Sequence, residues 1–452
     1  MAVAAHRSLR LRGMAPGTVA SAVGEVGGRP VVLARCQPGN RGGALSEVAG
    51  RTLAAAATEA CDVGLPLVIV VASGGADVVE GVAALQGWGL AAAAVARCSG
   101  RVPVLMAVTG PAVSGQALLL GLADLVCLAD GGTAYVSGPA MVEEMTGVRL
   151  SPADLGGPVV HGRHSGLAAL TVADADAALE ALGDVLAYLP DSCDHLPRAR
   201  AVDDPPDRPC PSLRTILPDS ASGAYDVRAV AAEACDAASF LELWADWAPN
   251  LVVGLATVEG HPVGVVANQP QALAGTLDIP ASQKGARFVD LCDAFNLPLL
   301  TLVDTPGFFP GKDLEWRGMI RHGGQLAFTY ARATVPRVSL ILRKAYGGAY
   351  IVMDCRSMGN DLAFAWPSAE IAVMGARGAV EILHRRARPE EREAAEAAYA
   401  ADLLTPYVAA ERGYVDQVVD PIDTRVVVCT AFRTLRSKLD RVADRKHDAM
   451  PC

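Results

Sequence analysis

Leu65-Pro-Leu-Val-Ile-Val-Val71 and Leu297-Pro-Leu-Leu-Thr-Leu-Val303 are one phrase written twice, 232 positions apart. In each, a proline leads into a near-continuous apolar run of strand length, the pattern of a β-strand buried on both faces. Landmarks on either side keep the spacing. Val23-Gly-Glu-Val-Gly-Gly-Arg-Pro30 and Ala256-Thr-Val-Glu-Gly-His-Pro262 both read as strand, tight glycine turn and returning strand, and Pro30 to Pro262 is again 232. Val102-Pro103 and Val335-Pro336 introduce strands 233 apart, and Ser114-Gly115 and Gly347-Gly348 follow those strands at the same offset. Val136-Ser-Gly138 and Val373-Met-Gly375 then differ by 237. Ala-rich stretches of helical character lie between the strands. The alternation predicts one α/β unit used twice in tandem.

A chain of 452 residues is long for a single core, which agrees with duplication. The reading divides it into an N-terminal domain over 1–189, a linker over 190–224 and a C-terminal domain over 225–452. The linker carries Pro190, Pro197, Pro205, Pro206, Pro209, Pro211 and Pro218 among small and charged residues, and little regular structure is expected there. A formal net charge of −10 without a basic block argues against a nucleic-acid binder. Runs such as Leu65–Ala72 and Ala112–Leu122 are too short or too glycine-rich to span a membrane, and Met1–Met14 has no apolar core of a secretion signal. A cytoplasmic protein is expected. The 11 cysteines show neither CxxC nor histidine at metal spacing, so reduced thiols are expected rather than a disulfide framework or a metal site.

Two turns carry the candidate chemistry. After the strand Arg337–Leu342 comes Arg343-Lys-Ala-Tyr-Gly-Gly-Ala-Tyr350, opening a helix. Its N–H groups would sit at the positive end of the helix, where they suit a developing oxyanion. The blander reading is that glycines simply allow close helix–strand packing. The N-terminal copy offers Thr109-Gly-Pro-Ala-Val-Ser-Gly-Gln116 in the equivalent place. Two such turns would suit passage of a group between two carbonyl compounds. No nucleophile triad is visible, and Gly-x-Ser-x-Gly does not occur around Ser114. His161, His164 and His322 sit in glycine-rich segments, where turn contacts are the simpler role. Thr305-Pro-Gly-Phe-Phe-Pro-Gly-Lys312 lacks the spacing of a phosphate loop. Arg385, Arg386, Arg388 and Arg392 alternate with acids as on a solvated helix face.

From Asn250 to Leu383 the sequence resembles the carboxyltransferase β subunits of propionyl-CoA and related biotin-dependent acyl-CoA carboxylases. The resemblance is carried by Lys284-Gly-Ala-Arg-Phe-Val-Asp-Leu-Cys-Asp-Ala-Phe-Asn296, Val303-Asp-Thr-Pro-Gly-Phe308, Ile320-Arg-His-Gly323, Arg343–Tyr350 and the run Ala365–Glu381. A fainter match over Gly24 to Pro190 rests on Ser73-Gly-Gly-Ala76, Glu80-Gly81, Gly138-Pro139, Thr146-Gly147 and Leu155-Gly-Gly157. The resemblance implies two crotonase-like domains and transfer of a carboxyl group from carboxybiotin to the α-carbon of a short-chain acyl-CoA. It assigns the backbone amides of Gly348 and Ala349 to the biotin oxyanion, and those of Ser114 and Gly115 to the acyl-CoA enolate. Ile351 falls where the family tunes acyl preference. Ala112, Gly74, Gly75, Gly347 and Tyr350 are further substrate-binding positions on the same grounds. Biotin would be carried in trans by a biotin carboxylase and carrier partner, since no Met-Lys-Met attachment site occurs. A homo- or hetero-oligomer, a hexamer by resemblance, is expected, with no metal in this subunit.

The departures cluster in the N-terminal half. Ser114-Gly-Gln116 stands where the family has Gly-Gly-Ala, and Ala72-Ser-Gly-Gly-Ala-Asp77 where it has Asp-Ser-Gly-Gly-Ala-Arg. They leave open a biotin-independent decarboxylase, a carboxylase of an unusual acyl thioester, and a non-catalytic subunit beside an active paralogue.

Overall fold

The computed structural model describes residues 18–36, 42–220, 223–440 and 446–449; the segment Met1–Met14 lies outside them. The chain forms two compact units. The first is Met1–Arg198 with Trp244–Trp247 and Ala294–Asn296; the second is Ala199–Leu243, Ala248–Asp293 and Leu297–Cys452.

In the first unit the strands are β1 (Val19–Val26), β2 (Arg29–Cys36), β3 (Leu67–Ser73), β4 (Val104–Val113), β5 (Leu125–Ala129), β6 (Thr133–Tyr135) and β7 (Leu170–Val172). They lie in the order β1-β2-β3-β4-β5-β7, with β6 beside β4. The second unit has β8 (Leu241–Leu243), β9 (Leu251–Val258), β10 (His261–Asn268), β11 (Leu299–Thr305), β12 (Arg337–Tyr346), β13 (Leu362–Ala365), β14 (Glu370–Ala372) and β15 (Gln417–Val418). Its order is β8-β9-β10-β11-β12-β13-β15, with β14 beside β12. Apart from the added edge strand β8, the second sheet repeats the first strand for strand. Each begins with an antiparallel hairpin across the glycine turn and continues in parallel.

The copies also share an irregularity. The β3–β4 register shifts between Val71 and Ser73, and the β11–β12 register shifts between Val303 and Thr305. These positions are 232 apart, the offset read from the sequence. Beyond each shift, the long strand takes a new partner, β6 or β14. Here both copies present their turns.

Helices cover the first sheet because parallel strands need crossovers. Glu47–Val63 starts at Ser46, whose hydroxyl accepts from the Ala49 N–H, and stops at Gly64 in the left-handed conformation. Its buried face (Ala49, Gly50, Leu53, Ala56, Ala57, Ala60) recurs every three or four residues. Against it lies Val82–Cys98, and the two touch at Gly50 and Gly87. A Cβ on Gly50 would come 2.2 Å from the Gly87 backbone, so no side chain fits between them.

The Pro-rich stretch expected to be a linker is packed structure in its second part. Pro211–Thr215 forms a 3-10 turn, Cys210 and Leu213 are buried in the second core, and the Cys210 N–H donates to the Ile422 carbonyl at 2.8 Å. Among the described residues, no helix is long and apolar enough to cross a membrane.

Gly50→Ala is expected to destabilise the protein by about 1–3 kcal/mol, because the added methyl must push two backbones apart. Urea unfolding followed by circular dichroism reads this; an unchanged midpoint would show that the helices separate freely.

Candidate active site

In both copies the long central strand ends in a residue of φ +58°, then a short helix. In the second unit that residue is Gly347, before the rest of Gly347–Val352; in the first it is Ser114, before Gly115–Leu120. The first amides of a helix have no acceptor within it, so each turn presents N–H donors at the end of its strand.

The second unit builds its turn on a buried polar cluster. Asp304, at the end of β11, accepts from the Tyr225 hydroxyl at 2.9 Å, Arg343 Nε at 3.1 Å and the Lys344 N–H at 3.1 Å. Its own N–H donates to Asn268 Oδ1 at 3.2 Å. Burial pushes the Asp304 carboxyl above its usual range, against the pull of Arg343. Arg343 also donates to the Gly223 carbonyl at 2.8 Å and lies over the Tyr225 ring. The cluster thus fixes the strand that carries the turn. Further along, the Tyr346 hydroxyl bonds Glu370.

Gly348 is exposed, and a Cβ there would sit 3.5 Å from the Phe308 ring, an ordinary contact. Ala349 is fully buried. Tyr350 is partly buried, and burial pushes its hydroxyl pKa up. Ile351 is 47% exposed on the outer face of the helix.

In the first unit, Ser114 departs from expectation. Its N–H donates to the Tyr135 carbonyl at 2.9 Å, so that amide is already used in joining the turn to β6. The donors that match Gly348 and Ala349 in register are those of Gly115 and Gln116. Ser114 has φ 58° and ψ −117°, a conformation that glycine supplies at the first central position of a type II′ turn. Gly115 must be glycine for another reason: a Cβ would lie 2.6 Å from the Trp88 indole, whose Nε1 donates to the Gly115 carbonyl at 2.7 Å. Ala112 is fully buried.

Gly74 and Gly75 lie beside this turn. The Gly74 N–H donates to the Gly42 carbonyl at 2.9 Å, and the Gly75 carbonyl accepts from Leu45 at 2.7 Å. A Cβ on Gly75 would lie 3.5 Å from the Val113 carbonyl. His161 bridges Ser165 and the Ala134 carbonyl at 2.8 and 2.7 Å, and His322 contacts Gln325 at 3.0 Å.

Three residues were not singled out for their side chains in the sequence. Trp88 wedges the first turn. Leu118 is 233 positions before Ile351 and 52% exposed, so the repeat offset alone could have found it. Gln116 is 2% exposed, on the helix face shared with Leu119 and Leu120, and neither Oε1 nor Nε2 has a protein partner.

Two substitutions test these strains. Ser114→Gly relieves a positive φ and is expected to raise unfolding stability by about 1 kcal/mol. Gln116→Met keeps the shape and removes the orphaned carboxamide, for a gain of about 1–3 kcal/mol. Equilibrium denaturation measures both; a loss for Gln116→Met would mean that the carboxamide is bonded in solution.

A family model described as the carboxyl transferase domain matches residues 2–450. The chain is 44% identical over 410 residues to the propionyl-CoA carboxylase beta chain of Saccharopolyspora erythraea, covering 86% of this chain and 74% of that one. To the methylmalonyl-CoA decarboxylase subunit alpha of Veillonella parvula it is 38% identical over 395 residues, covering 87% and 77%. A crystal structure of transcarboxylase 12S, with methylmalonyl-coenzyme A and methylmalonic acid bound, superposes with a TM-score of 0.94 at 38% identity, covering 96% of this chain and 85% of that one. The two α/β copies are therefore crotonase-like domains, and the chain belongs to the carboxyl transferase family of enzymes.

Proposed function

We propose that this enzyme moves a carboxyl group between carboxybiotin, carried on a partner protein, and the α-carbon of a short-chain acyl-CoA. The observation that carries the reading is the doubled turn: a φ of +58° at Ser114 and at Gly347, each at the end of the fourth strand of its copy. Carboxyl transfer at carbon passes negative charge through two carbonyl oxygens, one on each partner, and each needs its own donors. Propionyl-CoA carboxylase and methylmalonyl-CoA carboxyltransferase are among the relatives' names.

The second turn fits the ureido group of biotin. Gly348 is exposed beside the Phe308 ring, and Asp304 and Arg343 hold the strand beneath it. Biotin, when bound, supplies the activated carboxyl group. The Gly348 and Ala349 amides orient its carbonyl oxygen and hold charge there. In the first unit, Gly115 and Gln116 perform the same task for the thioester oxygen of the acyl-CoA as its α-carbon loses a proton. Ser114 shapes that turn, its own N–H being given to the Tyr135 carbonyl. Ile351 offers an apolar wall for a short acyl chain, and Leu118 is its counterpart in the first unit. On this reading the chain assembles as a hexamer, acts in the cytoplasm and receives biotin from a biotin carboxylase and carrier.

The test is the reverse half-reaction with free biotin. The purified chain is incubated with methylmalonyl-CoA or malonyl-CoA, with and without biotin, and loss of the carboxyl group is followed by mass spectrometry. Biotin-dependent loss is expected, and Gly348→Pro should lower it by roughly 10²-fold or more, since one donor is deleted. Biotin-independent loss would make the chain a simple decarboxylase, and unchanged turnover in folded Gly348→Pro would remove the turn from the mechanism.

A further inference from the structure

The two helices that meet at Gly50 and Gly87 meet again at their other ends. Eleven residues beyond each glycine stand Cys61 and Cys98. Eleven residues are just over three full turns of an α-helix, so on parallel helices both positions return to the shared seam. The glycine contact sets a short separation between the helix axes, and the seam keeps it: the Cys61 and Cys98 sulfurs are 3.3 Å apart. Both thiols are free.

The pair is unequal. Cys61 is half-buried and within reach of a small solute, with its thiol 4.0 Å from the Arg97 carbonyl. Cys98 is fully buried, and its thiol points at the Ala57 carbonyl at 3.3 Å and the Ala94 carbonyl at 3.6 Å. Burial, and then the neighbouring Cys61 thiol, push the Cys98 pKa up; Asp124 adds to the rise and Arg97 opposes it. An oxidant therefore meets Cys61 first.

We propose that Cys61 and Cys98 are a peroxide-oxidisable dithiol that closes into an intramolecular disulfide between the two helices. The Cys61 sulfur attacks hydrogen peroxide, the O–O bond breaks, and water leaves as Cys61 becomes a sulfenic acid. The Cys98 sulfur then attacks the Cys61 sulfur, the S–O bond breaks, and the Cys98 proton leaves with the hydroxyl as a second water. Two thiols and one peroxide give one disulfide and two waters. The sulfurs, 3.3 Å apart, must close to about 2.0 Å.

Trypsin separates the partners conveniently, because Arg97 lies between them and no other lysine or arginine occurs from Thr52 to Arg97. The folded full chain is treated with hydrogen peroxide, alkylated and digested. Thr52–Arg97 is expected joined to Cys98–Arg101, two hydrogens lighter than the sum of the peptides and separated again by dithiothreitol. In Cys98→Ala, Cys61 should persist as a sulfenic acid captured by dimedone, whereas the parent chain should show little capture. Unlinked peptides with Cys61 carried on to the sulfinic acid would overturn the proposal. So would equal dimedone capture in parent and variant, or a link from Cys61 to any other cysteine.

Discussion

At Ser114 and Gly347 the backbone takes a φ of +58°, and the presentation of helix amides at the end of each central strand depends on that dihedral. It reverses the chain between strand and helix within one residue. Just before it, the pairing with the neighbouring strand shifts register, resuming at Ser73–Ala112 and Thr305–Ala345, and β6 and β14 pair with the last residues of the long strands. The N–H at the reversal is used for structure in the first unit, joining Tyr135. The next amides open the short helix and have no acceptor within it. Glycine adopts this dihedral without strain; serine adopts it at a cost that the surrounding strands must absorb.

The two copies fasten this geometry by different means. In the second unit a carboxylate and a guanidinium, Asp304 and Arg343, tie the strand ends together in a buried cluster with Tyr225. The positions one repeat earlier are Ala72 and Gly110. There a methyl group meets a bare backbone: a Cβ on Gly110 would lie 3.0 Å from that of Ala72. Both solutions are consistent. A charge pair needs its partners, and a methyl packed on glycine needs none. Mixing them would leave a charge stranded in the interior.

The duplication and both turns were legible because periodic apolar runs and prolines survive duplication as countable offsets. The repeat placed Ser114 opposite Gly347 and Gly115 opposite Gly348. It did not reveal that Tyr135 claims the Ser114 amide, because that bond depends on β6, whose register no local pattern encodes. The departure at Gln116 was visible as a letter; its lack of a partner was not, since burial and hydrogen bonding are properties of the assembled core. The Pro-rich stretch misled for a related reason. Proline excludes helix and central strand but does not exclude packing, and Cys210 and Leu213 are buried there.

The segment Trp244–Trp247 belongs to the first unit although the chain before and after it belongs to the second. Trp244 donates to the Ala169 and Gly166 carbonyls, and the Trp247 ring fills the space above Gly166, where a Cβ would lie 2.2 Å from the indole. The duplicated halves have therefore ceased to be interchangeable modules. A single cut between the two units would leave the first without Trp244 and Trp247, so neither half can be expressed alone as a contiguous stretch without losing part of its packing.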